Sequence, residues 1–267
     1  ALTGGSGALI GNIAIGHKAL DATGANAQTG TIAIGQEALT SLTSGTSNTA
    51  IGYESVKNLT TGTANTTLGR KALNSADGAE SNNVAIGSSA MQNANNDSTI
   101  KNVAIGTDAM SGATSGALSG NVAVGAYAMD STGSNAQTGT IAIGESALTA
   151  LTSGARNTAI GYTAGSEEVA GNDNTLLGYE ALHDGGGLAN LSNTLIGSYA
   201  GDGAWANNAS SYNTAVGQGT MRGAMDGALH NVSMGFVALT NLTSGDRNTA
   251  LGGGSASTLT TGSQNIC

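Results

Sequence analysis

"NTAIGYESVKNLTTGTANTTLG", residues 48–69, holds one complete repeat and the opening of the next. The opening returns as "NTAIG" at 157–161. Near copies stand at 12 ("NIAIG"), 83 and 102 ("NVAIG"), 193 ("NTLIG") and 248 ("NTALG"). Repeats begin at 12, 31, 48, 65, 83, 102, 121, 140, 157, 174, 193, 213, 231 and 248, and a fifteenth opens at 265. The spacing of 17–20 residues is too short for helical-pair repeats, which run to about 33 residues or more.

Numbered from the Asn, position 1 is Asn in every repeat except those opening at Thr31 and Thr140. Position 4 is always aliphatic, as at Ile15, Ile34, Ile51, Ile86, Ile105, Ile143 and Ile160. Position 5 is always Gly, as at Gly16, Gly52, Gly87, Gly161 and Gly197. Position 8 is usually Ala, and position 9 is mostly Leu, Met or Val. Several 17-residue repeats add a Leu at position 12 and a turn, "LTSG" at 42–45, 151–154 and 242–245. A fixed Gly would cost a helix about 1 kcal/mol, whereas "TAIG" alternates as a strand does. Each repeat therefore reads as one coil of a solenoid: a short strand, a corner where Gly supplies a positive φ or close backbone approach, a second short strand around "AL", and a variable turn.

The expected fold is an all-β parallel β-solenoid (β-roll) of about 14 coils of 17–20 residues. The position-4 aliphatics are expected to form one buried column and the position-9 residues a second. The position-1 residues, among them Asn12, Asn48, Asn83, Asn157 and Asn248, are expected to form a ladder of side-chain amides along the axis. The absence of Pro fits coils whose N–H groups all pair with neighbours. By organisation, 1–11 reads as an incomplete first coil and 12–267 as the solenoid. A six-coil block, 12–120, is duplicated at 121–230: 26 of the 33 residues at 21–53 recur 109 residues later. Duplication of whole coils lengthens a rod; it is not how a single active site is usually built.

Composition excludes several classes. The 267 residues include 43 Gly, 3% aromatic and 9% charged residues, far from the roughly 25% charge of ordinary domains. A net charge of −9 with scattered Lys and Arg argues against nucleic acid. No stretch is apolar enough over about 18 residues to insert into a membrane. Cys267, the one cysteine, stands where the repeat usually has Ala; this reads as a chain that continues beyond it, and Ala1 as a fragment or processed start. The core of one chain is thin, and small faces at Ala14 and Ala33 and at Ala19 and Ala38 offer close packing to another backbone, so a homo-oligomer is expected.

"NTAIGYESVKNLTTG" (48–62) and "TIAIGQEALTSLTSG" (31–45) resemble the N-T-A-I-G-x-x-A-L-x-x-x-T-T-G repeats of phage tail-fibre-like proteins, which often precede a self-cleaving intramolecular chaperone domain. They are also similar to the AIGxxA head repeats of trimeric autotransporter adhesins, whose heads are left-handed parallel β-rolls. The resemblance covers essentially the whole chain. It implies a rigid homotrimeric fibre or head, extracellular or on a virion surface, that attaches to a host-cell receptor or glycan. The trimer and the handedness rest on the resemblance alone. No heptad stalk, membrane anchor or chaperone domain is recognisable.

The residues suggest no catalytic, cofactor or metal site, and the chain reads as a non-enzyme. His17, His183 and His230 fall in different repeats at different phases, without a nucleophile elbow. "GNDNTLLG" (171–178) looks like one calcium-binding turn, but its Asp is not repeated coil after coil. "GQGTMRG" (217–223) lacks the Walker lysine. Glu167–Glu168 is the only adjacent Glu pair, and a glycosidase would need two carboxylates facing one groove. Tyr53, Tyr162, Tyr179 and Phe236 share position 6, and Tyr127 and Tyr199 share position 7. Trp205 and Tyr212 break phase in the longest coil; with Tyr199 they are the candidate receptor or glycan contacts. The alternative function is a monomeric ice-binding or carbohydrate-binding solenoid, suggested by recurrent Thr at position 2.

Overall fold

A computed structural model describes residues 9–22, 28–112, 116–187, 189–205 and 207–267. Residues 1–8 of the incomplete first coil lie outside them. The described residues contain no helix, hence none long and apolar enough to cross a membrane. The chain is all-β, a parallel β-solenoid, and divides into two compact units, 1–138 and 139–267. That boundary does not coincide with the 120/121 boundary of the duplicated block.

In the first unit the strands are β1 (Leu9–Ile10), β2 (Ile13–Ile15), β3 (Gln28–Thr29), β4 (Ile32–Ile34), β5 (Thr49–Ile51), β6 (Thr66–Leu68), β7 (Val84–Ile86), β8 (Val103–Ile105), β9 (Leu118–Ser119), β10 (Val122–Val124) and β11 (Gln137–Thr138). The second holds β12 (Ile141–Ile143), β13 (Thr158–Ile160), β14 (Thr175–Leu177), β15 (Thr194–Ile196), β16 (Thr214–Val216), β17 (Val232–Met234) and β18 (Thr249–Leu251). Strands β2, β4, β5, β6, β7, β8 and β10 pair in parallel in that order, and β12 to β18 do likewise. Register is strict, position on position: Thr49, Ala50 and Ile51 lie opposite Thr66, Thr67 and Leu68. Two short pairs, β1 with β3 and β9 with β11, add a second paired edge in the first unit.

The strand's inside and outside are the reverse of the expectation. Position 3 is buried: Ala33, Ala50, Ala85, Ala104, Ala123, Ala142 and Ala159 have no exposure. The position-4 residues expected as a core column lie on the outer face. Ile15 is 58% exposed, Ile105 and Ile143 are 36% exposed, and Ile34, Ile51, Ile86 and Ile160 are half-buried. The Ala residues offered as an interface, Ala19, Ala33 and Ala38, are interior, and Ala14 is half-buried. The "AL" segment is also not a strand. Positions 7 and 9 take left-handed backbone, as at Lys18 (φ 53) and Leu20 (φ 51) or Glu37 (φ 59) and Leu39 (φ 51), far from β geometry. These two turns fold the position-9 side chain inward. Leu20, Leu39, Val56, Leu73, Met91, Met110, Met129, Leu148, Leu182, Met221 and Leu239 are fully buried, so this column is the hydrophobic core.

Two single-residue requirements hold the coils in step. Every named corner glycine has φ between +130 and +146, and a Cβ at Gly16 would sit 2.5 Å from the Gly35 carbonyl oxygen of the next coil. Gly52, Gly87, Gly161 and Gly197 face the following corner glycine at least as closely. No other residue accepts both the φ and the approach. The Asn ladder is the second. Asn65 donates its backbone N–H (3.0 Å) and its Nδ2 (3.1 Å) to Asn48 Oδ1, while Asn48 Nδ2 donates to the Gly62 carbonyl (2.8 Å). Asn83, Asn102 and Asn121 repeat this in the first unit, and Asn174, Asn193, Asn213, Asn231 and Asn248 in the second. Asn12 opens the first ladder, its Oδ1 accepting from Thr31 N–H at 2.9 Å; in the second unit Asn157 Nδ2 donates to the Gly171 carbonyl at 2.7 Å. The amides are buried, so each satisfied bond avoids the penalty of an orphaned polar group.

Candidate functional site

The sites follow from the stacking rule: residues at one position of successive coils lie one above another. In the second unit, position 6 supplies Tyr162 and Tyr179, position 7 supplies Tyr199, and position 10 supplies Arg222. Tyr162 and Tyr179 stack with centroids 5.4 Å apart and planes at 13°. Tyr199 meets Tyr179 edge-on, also at 5.4 Å, and the Arg222 guanidinium lies 4.9 Å over the Tyr199 ring. Tyr162 and Tyr179 are 45% and 44% exposed. The stacking covers one face of each of the Tyr162 and Tyr179 rings. The Glu180 carboxylate, hydrogen-bonded to Tyr179, pushes that hydroxyl's pKa up to about 12.

Beside this ladder runs a charged strip at positions 10 and 11. His183 Nδ1 is 2.9 Å from Asp184 Oδ1 and 3.9 Å from Asp202 Oδ1. Asp202 Oδ2 is 3.3 Å from Arg222 Nη2. Burial raises the Asp202 pKa, against the pull of Arg222. Glu167, one coil earlier, donates its backbone N–H to the His183 carbonyl at 3.2 Å, which brings its exposed side chain beside His183 and Asp184. Four coils thus converge their functional groups on one strip.

Of the three candidate contact residues, only Tyr199 belongs to this patch. Trp205 is 1% exposed and cannot meet a ligand from where it sits. It fills core space beside Gly201, whose Cβ would come within 3.2 Å of Trp205 Cζ2; its Nε1 has no hydrogen-bond partner among the described residues. Tyr212 is half exposed but belongs to a different stack, with His230 at 5.0 Å and 8°. Both stand immediately before the ladder Asn of their coils, so Tyr212 is in phase with the repeat.

The other motifs resolve into structure. Asp173 of "GNDNTLLG" is taken by Arg156, at 2.6 Å to Nε and 2.8 Å to Nη2, and this bond lowers its pKa. Glu167 and Glu168 do not share a groove: Glu167 is exposed, and Glu168 is fully buried at position 12, where other coils have Leu42, Leu59 and Leu151. Burial pushes the Glu168 pKa up to about 8, against hydrogen bonds that include Asn190 Nδ2 at 2.9 Å. It is therefore mostly protonated at neutral pH and acts as a core residue. No pocket opens among the described residues.

Interior exchanges escaped sequence reasoning. Where position 3 is Thr67 or Ser233, position 8 of the preceding coil is Ser55 or Thr220, and the hydroxyls hydrogen-bond inside the coil. Where position 3 is Leu176 or Leu195, a position-9 Gly accompanies it: Cβ atoms at Gly165 and Gly201 would meet those leucines at 2.7 and 2.6 Å. The glycines at position 9, Gly165 and Gly201, were the available signal. Comparison with protein-family models, curated proteins and solved structures finds no match to the chain.

Proposed function

We propose that the chain is a structural and adhesive fibre or head segment, a homotrimer displayed outside a cell or on a virion, as in the tail-fibre and adhesin repeats it resembles. Its work is reach, stiffness and multivalent attachment to a host receptor or glycan, with avidity from identical copies. The observation that carries this is the outer face of the sheet. Position 4 puts an aliphatic side chain on it at every main-sheet strand of the first unit, and position 2 adds another except at Thr49 and Thr66; among them are Ile13 (46% exposed), Ile15 (58%) and Leu68 (48%). Seven strands about 4.8 Å apart and about 10 Å long give each unit a face of about 340 Å2, in the range of a functional apolar patch. The fitting occupant is further copies of this chain, because only a partner with the same coil rise can match the face rung for rung. The Tyr162–Tyr179–Tyr199 ladder, with Glu180 and Arg222, offers hydroxyl and charged edges to a receptor or glycan.

One observation favours a second function, a monomeric ice-binding or carbohydrate-binding solenoid. In the second unit Thr158, Thr175, Thr194 and Thr214 stand in register on four consecutive strands. Light scattering separates the two. The fibre requires a solution mass three times 25.8 kDa, lost on introducing charge with Ile34→Lys and Ile51→Lys, and binding to cells or glycan arrays by the intact trimer. A folded monomer of the native chain refutes the fibre.

A further inference from the structure

We propose that Glu167, His183 and Asp184 form a binding site for a divalent transition cation of the zinc class. One ligand atom from each lies within 4.8 Å of the others, and His183 Nδ1 is already 2.9 Å from Asp184 Oδ1. Zinc bound at about 2.0–2.2 Å holds tetrahedral ligands about 3.3–3.6 Å apart, a spacing that small rotations of these surface side chains reach. The imidazole sets the class. A nitrogen with two carboxylates suits zinc and its neighbours, whereas calcium takes six to eight oxygens. Three protein ligands leave a fourth position to water.

The site follows from the coil stacking. Positions 10 and 11 of adjacent coils come together because Glu167 N–H bonds the His183 carbonyl at 3.2 Å. The metal ties the coil of Glu167 to that of His183 and Asp184. Asp202 Oδ1 approaches the same His183 Nδ1 at 3.9 Å, and its other oxygen is held by Arg222. The ordinary alternative is a His183–Asp184 hydrogen bond with no ion.

Titration of the metal-free protein with Zn2+ by calorimetry, alongside the NMR signals of the His183 imidazole, decides between them. The expected result is one Zn2+ per chain, with perturbation confined to His183 among the three histidines. His183→Gln or Glu167→Gln should weaken binding about tenfold or more, and His17→Gln and His230→Gln should not change it. Both ligand variants alter solvent-exposed or half-exposed side chains, and circular dichroism checks that they fold. Absence of stoichiometric Zn2+ binding, equal binding by His183→Gln, or Ca2+ binding as tightly as Zn2+ overturns the site. None of these outcomes depends on the oligomeric state, so the site and the fibre function fail separately.

Discussion

Exchanging Gly165 and Leu176 for the residues that most coils carry tests the packing rule directly. Leu176, at position 3, is fully buried. A Cβ on Gly165 would stand 2.7 Å from Leu176 Cδ1 and 2.8 Å from Leu148 Cδ2, so that side chain occupies the space a position-9 residue would fill. Leu176→Ala alone opens a cavity and should cost about 3 kcal/mol. Gly165→Leu alone overpacks the same space and should cost about 2 kcal/mol. Its backbone adds little strain, because φ at Gly165 is 62 and neighbouring Leu148 and Leu182 already sit at 50 and 51. The double variant restores the arrangement of Leu148 with Ala159 of the next coil, and should lie within about 1 kcal/mol of the native protein. The coupling energy in the cycle is then about 4 kcal/mol, beyond the usual upper bound of about 3 for contacting pairs. Urea unfolding gives the four stabilities. Because solenoids can open coil by coil, exchange of the Leu148 and Gly165 amides, bonded to Ala164 and Ala181 of the next coils, localises the effect. Additive losses, with the double variant worst of all, would refute a shared space at positions 3 and 9.

Gly52→Ala should cost 3 kcal/mol or more, about the sum of a Gly-only φ and a methyl driven into the Gly69 carbonyl, measured as loss of folded protein or of urea midpoint. Thr31→Asn should add about 1 kcal/mol, since Thr31 Oγ1 is buried without a partner among the described residues and an amide there can accept from Asn48 and donate to the following turn; an unchanged midpoint counts against the ladder as a stabilising element. Burial raises the Glu80 pKa in the folded protein, so its proton is held more tightly there than in the unfolded chain. Stability therefore falls as pH rises from about 4.5 through the folded value, and Glu80→Gln should flatten that slope; parallel slopes for native and variant proteins would contradict it.

The repeat starts, the strand at positions 2–4, the corner glycine and the Asn ladder were all legible in the sequence. Each is a single residue type imposed by one local requirement: a backbone angle, a close approach, or a buried amide pair repeated at the same place. Trp205 was not legible, because its phase in the longest coil depends on the turn around it, and a lone aromatic reads equally as anchor or filler. The charged strip was hidden for a different reason. Glu167, His183 and Asp202 are 16 and 19 residues apart in the chain and become neighbours only through coils of unequal length.

The inverted strand has the most instructive cause. Large aliphatics generally face inward, so Ile at position 4 and Leu at position 9 were both assigned to the core. Strand side chains alternate, and position 3 takes the inward face, so position 4 points away from the position-9 column. The coils that vary show which space position 3 uses: Leu176 lies against Gly165 of the preceding coil and Leu195 against Gly201 of its own, both at position 9. Position 4 shows no such trade; it is Ile160, Leu177 and Ile196 across the same coils. The interior is filled from positions 3, 9 and 12, among them Leu176, Leu182 and Leu151, and position 4 is left outside it. Its constant aliphatic character then needs a cause other than the core of its own chain, and the contact with further copies proposed above would supply one.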